Sequence, residues 1–118
     1  MLTPYLNDCP LVAILRGVTP EESVAVAKVL LDAGFCIIEV PLNSPRPYES
    51  IEKISTAFGD RALIGAGTVT AVHEVEQVCG AGGQLIFSPN CNPDVIQKTK
   101  QLGLVSMPGC CSPSEAFL

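Results

Sequence analysis

Five short apolar runs, Leu11–Leu15, Cys36–Leu42, Ala62–Ile64 leading into Gly65, Leu85–Phe87 and Leu104–Met107, begin 25, 26, 23 and 19 residues apart. They are continuous rather than alternating in apolar character. Alternation marks a strand with one wet face, whereas continuity marks a strand buried on both, as in a parallel sheet. Between the runs the apolar period becomes helical. Val24, Ala27, Val29, Leu30, Leu31 and Ala33 form one stripe, Ile51, Ile54, Ala57 and Phe58 a second, and Val72, Val75, Val78 and Cys79 a weaker third.

The punctuation agrees with this alternation. Thr19-Pro20-Glu21-Glu22 offers an N-cap threonine, a proline at the first helical position and a glutamate placed for a capping box. Asn92-Pro93-Asp94 repeats the cap and proline, and Ser112-Pro113-Ser114-Glu115 repeats the whole device. Gly34, Gly59 and Gly103 stand where left-handed helix caps are wanted, each just before a new apolar run. Strand and helix therefore alternate through the chain, in units the size of those in a (β/α)₈ barrel.

The predicted fold is α/β, the amino-terminal part of such a TIM barrel. It comprises about four βα units plus a fifth strand, as one partial domain over residues 1–118. A doubly wound sheet is the rival, which spacing alone does not exclude. Neither Arg16-Gly17-Val18-Thr19 nor Gly65-Ala66-Gly67-Thr68 completes the three-glycine dinucleotide loop of that rival. A partial barrel is open at both sheet edges, so a non-catalytic product that associates through those edges is the alternative reading.

Composition narrows the function. With 47% hydrophobic and 16% charged residues, the chain has enough apolar surface for an ordered core. A net charge of −5, with seven scattered basic residues, excludes a phosphate-backbone binder. No apolar run approaches the roughly 20 residues of a membrane span. Met1–Pro10 has no basic n-region, so a cytoplasmic location is expected. The six cysteines form no C-x-x-C pair and His73 is the sole histidine, which favours free thiols and no metal.

Function in parallel α/β folds gathers where strands end. Glu39 stands out because it interrupts Ile37-Ile38-Glu39-Val40, where a carboxylate is costly to bury without purpose. It reads as an acid–base residue, against the structural alternative of an outward-facing or paired carboxylate. Arg16 offers a planar fork for a carboxylate or phosphate, with a salt bridge to Glu39 as the competing account. Thr68 suits an anionic ligand, and Gly65 and Gly67 serve either close ligand approach or tight packing. Asn43 and Asn90 divide between ligand and turn roles, and His73 receives none.

Leu11-Val12-Ala13-Ile14-Leu15-Arg16-Gly17, Glu39-Val40-Pro41-Leu42-Asn43-Ser44-Pro45, Ala62-Leu63-Ile64-Gly65-Ala66-Gly67-Thr68 and Ser88-Pro89-Asn90 occur in that order. Together they resemble the 2-keto-3-deoxy-6-phosphogluconate / 6-phosphogalactonate aldolase family. The Glu-Val-Pro-Leu-Asn-Ser form is most similar to the phosphogalactonate branch, since the phosphogluconate branch usually has arginine where Asn43 stands. The resemblance implies a class I aldolase of phosphorylated keto-deoxy sugar acids, with a (β/α)₈ fold and homotrimeric assembly. Its products are pyruvate and glyceraldehyde 3-phosphate, and it needs no metal or other cofactor. It matches Glu39 to the proton-shuttling glutamate, and Arg16 and Thr68 to residues that bind the substrate around its carboxylate end. The family's Schiff-base lysine lies on the sixth strand, past Leu118, so these residues alone are expected to be inactive.

Overall fold

The computed structural model describes residues 1–118, and in it five parallel strands pair in chain order, β1-β2-β3-β4-β5. The elements run α1 (Thr3–Asp8), β1 (Ala13–Ile14), α2 (Pro20–Asp32), β2 (Ile37–Pro41), α3 (Pro47–Phe58) and β3 (Leu63–Gly67). They continue with α4 (Val72–Gly80), β4 (Leu85–Ser88), α5 (Pro93–Gln101), β5 (Val105–Pro108) and α6 (Pro113–Ala116). A doubly wound sheet reverses its strand order where the helices change face. Here the order never reverses, which is the winding of a partial (β/α)₈ barrel.

Burial explains the continuous apolar runs. Ala13, Ile38, Val40, Ile64, Ala66 and Ile86 form one core with Ala27 of α2, Ile51 and Ile54 of α3, Val75 and Val78 of α4 and Val95 of α5. The alternate residues Ile37, Leu63 and Leu85 turn to the other, inner face and pack with Val12, Phe87, Val105 and Met107. Every residue of β2 and β3 is buried. Each fully buried Ile or Leu contributes about 1.5–3 kcal/mol over an exposed one, so the central strands anchor the sheet.

The helix starts follow the sequence signals. The Thr19 N–H donates to Glu22 Oε1 at 3.0 Å. Asn92 Oδ1 accepts from the Asp94 N–H at 3.0 Å, and Ser112 and Glu115 exchange the two bonds of a capping box around the single turn of α6. Gly34 and Gly103 adopt φ of +106° and +73°, the left-handed caps expected of them. Gly59 does not. Its φ is −62°, and a Cβ there would meet the Ser55 carbonyl oxygen, so close backbone approach is what requires glycine at this stop. Helix α1 was not signalled by the sequence. It has no side-chain cap, and it is placed by tertiary contact: Leu2 and Tyr5 pack on the inner cluster, and Cys36 Sγ donates to the Tyr5 carbonyl at 3.1 Å.

Candidate active site

Glu39 occupies the middle of β2, in register with Ile14 of β1 and Gly65 of β3. Its neighbours Ile38 and Val40 face the helices, so Glu39 faces the inner side of the sheet. The side chain is 6% exposed, and its Oε2 is fully buried without a hydrogen-bond partner. A buried carboxylate that lacks donors favours its neutral form. Burial accordingly pushes the Glu39 pKa from 4.5 up to about 7, and the Arg16 guanidinium pulls the other way without overcoming it. Near neutral pH such a carboxyl is present in both forms, as a group that must take up and return a proton requires.

The two glycines of β3 do different work. A Cβ at Gly65 would collide with the backbone carbonyl of Leu85, so Gly65 serves close packing of β3 against β4. A Cβ at Gly67 would instead collide with the carboxylate of Glu39. Gly67 is two residues beyond the position level with Glu39, so the acid reaches diagonally toward the end of β3 and lies over the Gly67 Cα.

Arg16 follows β1 at the strand ends. It is exposed and forms no ion pair, so the competing salt bridge to Glu39 does not exist. The other arginines are engaged elsewhere. Arg46 bonds Glu21 of α2 and Glu49 of α3, and Arg61 lies 5.7 Å from the Phe58 ring centroid. Arg16 is thus the one guanidinium without a partner, at the end of the sheet toward which Glu39 reaches.

Thr68 comes directly after Gly67 with φ of +60°, a left-handed conformation that a β-branched residue rarely adopts. Flanking ladder bonds enforce it: the Leu42 N–H donates to the Gly67 carbonyl at 2.9 Å, and the Val69 N–H to the Phe87 carbonyl at 3.1 Å. Non-glycine residues held this way cost about 1–3 kcal/mol and gather at functional sites. The Thr68 side chain makes no hydrogen bond, although the main chain on either side of it is held, by Leu42 just after β2 and by Phe87 of β4.

Ser44 had no role assigned from the sequence. It is buried, and its Oγ accepts the Gly17 N–H at 3.0 Å, tying the loop after β1 to the loop after β2. It thereby fixes the backbone beside Arg16, and a serine next to a predicted strand-end loop was its only signal. Asn43 and Asn90 are exposed and make no side-chain hydrogen bond, and His73 is exposed on α4. All four lysines, Lys28, Lys53, Lys98 and Lys100, lie on helices, and Lys28, Lys53 and Lys98 are ion-paired to Asp32, Glu49 and Glu76. A cavity between α3 and α4, lined by Ser55, Thr56 and Gln84, lies near the strand starts, remote from Glu39.

Known proteins share this fold. The family model described as KDPG and KHG aldolase matches residues 3–118. The 2-dehydro-3-deoxy-6-phosphogalactonate aldolase of Escherichia coli (strain K12) is 47% identical over 96% of this chain and 55% of its own length. The solved structure of native KDPGal superimposes with a TM-score of 0.89 at 47% identity, over 92% of this chain and 52% of that one. KDPG aldolase from Legionella pneumophila, with pyruvate captured as a covalent carbinolamine intermediate, gives a TM-score of 0.85 at 26% identity, over 93% and 53% of the two chains. The chain spans about half the length of these relatives. With the family model matching from the first helix to Leu118, and the sheet superimposing on solved members, this chain belongs to the KDPG and KHG aldolase family.

Proposed function

We propose that these residues supply the keto-acid grip and the acid–base group of a class I aldolase. Its substrate is 2-dehydro-3-deoxy-6-phosphogalactonate, and its products are pyruvate and glyceraldehyde 3-phosphate. The observation that carries this reading is the Glu39 carboxyl, buried on the inner face with Oε2 unpartnered and its pKa raised to about 7. The 47% identity to the phosphogalactonate relative, together with Asn43 in the loop after β2, supports galactonate over gluconate stereochemistry.

In this reading a lysine amine condenses with the C2 ketone to give an iminium. Glu39 takes the proton from the C4 hydroxyl as the C3–C4 bond breaks. The bonding electrons pass into the iminium, giving an enamine, and the aldehyde leaves. Glu39 then returns a proton to C3, and hydrolysis frees pyruvate and the amine. Arg16 anchors the substrate carboxylate and Thr68 donates its hydroxyl to the same end, which holds the ketone in place for attack. The partial barrel over residues 1–118 is one unit of this enzyme, acting as a homo-oligomer in the cytoplasm.

Lys28, Lys53, Lys98 and Lys100 sit on helices rather than at strand ends, so the reading assigns the condensing amine to sequence outside these residues. Pyruvate titrated into the ¹⁵N-labelled chain should shift the amides around Gly17, Gly67 and Thr68, and Arg16→Ala should abolish the shifts. Absence of shifts in the unaltered chain sinks the keto-acid grip. Borohydride added with pyruvate should trap no adduct on the 118-residue chain; a trapped adduct would show that one of its own lysines is the nucleophile.

A further inference from the structure

We propose that Gly67 is a positioning residue for Glu39: the missing side chain forms the seat on which the carboxylate rests, and any Cβ there evicts the acid toward the mouth of the sheet. The claim rests on reading Glu39 as the acid–base group, and it goes further by assigning its alignment to a residue on the neighbouring strand.

The backbone offers no other reason for glycine at this position. Gly67 is the last residue of a regular strand, and its φ lies outside the left-handed region. Its carbonyl accepts the Leu42 N–H at 2.9 Å, an ordinary ladder bond that any residue can make. Glycine inside a strand is unfavourable, because it loses more freedom on folding and has no side chain to pack. What it provides is space. A Cβ would overlap Oε1, Oε2 and Cδ of Glu39 together, whereas the atoms nearest a Cβ of Gly65, two residues earlier, all belong to Leu85. The carboxylate therefore lies flat on the Gly67 Cα, where the absent side chain can neither donate to it nor displace it.

The seat also explains why Oε2 is buried and unpartnered. Gly65 and Gly67 present no polar side chain from β3, and Arg16 beyond β1 is the one charged group whose field reaches the acid. A methyl on Gly67 takes the space the carboxylate occupies and displaces it from its buried seat toward water and Arg16. Both favour the ionised form, so eviction must lower the pKa.

The test follows the ¹³Cδ resonance of Glu39 with pH in the 118-residue chain. Gly67→Ala should move the midpoint down from about 7 by about one pH unit. Gly80→Ala, at a position with no atom within 4 Å of the added Cβ, should leave it unmoved. A midpoint that stays or rises in Gly67→Ala overturns the proposal. A thermal double-mutant cycle separates the seat from a general intolerance of alanine in β3. Gly67→Ala should lower Tm in the presence of Glu39 and be neutral or stabilising in an E39A background, where the methyl fills vacated space. Equal losses in both backgrounds overturn the proposal. If Gly67→Ala alone fails to fold, a folded E39A/G67A protein supports the seat and an unfolded one refutes it. Neither readout uses a ligand, so failure of pyruvate to bind would remove the aldolase reading and leave the seat standing.

Discussion

Replacing Glu39 with glutamine should make the chain's stability nearly indifferent to pH where the unaltered chain loses stability as pH rises. The folded-state pKa of Glu39 is about 7 against a usual 4.5. Between those values the folded chain holds a proton that the unfolded chain releases, so the native state binds more protons and its stability falls with increasing pH. This contribution is fully present below about pH 4.5 and gone above about pH 7. At about 1.36 kcal/mol per pH unit, the displacement amounts to roughly 3 kcal/mol. Water that reaches the residual 6% of exposed surface trims this to about 2–3 kcal/mol. Glutamine has a similar shape and no charge to lose. Relative to the unaltered chain, Glu39→Gln should therefore gain about 2–3 kcal/mol on going from pH 5 to pH 8. Urea unfolding followed by far-ultraviolet circular dichroism at the two pH values measures this directly; the chain has no tryptophan to report by fluorescence. Glu21, Asp32 and Glu76 are held below the usual carboxylate range by Arg46, Lys28 and Lys98, so their contributions are lost on acidification, with the opposite sign. Working above pH 5 keeps them out of the comparison. A Gln-minus-Glu difference that is the same at both pH values would refute the claim that Glu39 is buried without partners.

Two further outcomes follow from the strand-end geometry. Ser44→Ala leaves the Gly17 N–H without its acceptor and should cost about 1 kcal/mol, with faster hydrogen exchange at the Gly17 amide and weaker pyruvate-induced shifts around Arg16. Thr68→Gly releases a β-branched residue from φ +60°, so urea unfolding should show stability level or raised by up to about 1 kcal/mol. The same variant should bind pyruvate more weakly, because it lacks the hydroxyl, and a stability gain with binding intact would count against Thr68 as a ligand contact.

Much of the fold was legible because the local signals agree with one another. The continuous runs at Cys36–Leu42 and Ala62–Ile64 announced strands buried on both faces, and β2 and β3 are buried throughout. Proline-bearing caps at Thr19, Asn92 and Ser112 placed the starts of α2, α5 and α6 to the residue. What stayed hidden depended on tertiary contact. Strand order separates a barrel from a doubly wound sheet and cannot be read from spacing. Helix α1 has no side-chain cap and is held by packing of Leu2 and Tyr5 across the strand starts. Gly59 looks like any other glycine stop in sequence, yet it is needed for approach to the Ser55 carbonyl rather than for a left-handed turn.

The candidate site divides along the same line. Glu39 could be picked out because its cost is local: a carboxylate between Ile38 and Val40 is anomalous wherever the strand is placed. Gly67 could be read only as room for a ligand or for packing, because its effect on the acid is set by register. Only the pairing of Glu39 with Gly65 puts the carboxylate two residues further along β3. Shift that register by one residue and the acid would face the helix core instead, where Ile64 and Ala66 pack. The acid, its seat and the strained threonine that follows are thus one consequence of a single strand pairing: the sequence singles out Glu39 and Thr68 one by one, and the register is what joins them through Gly67.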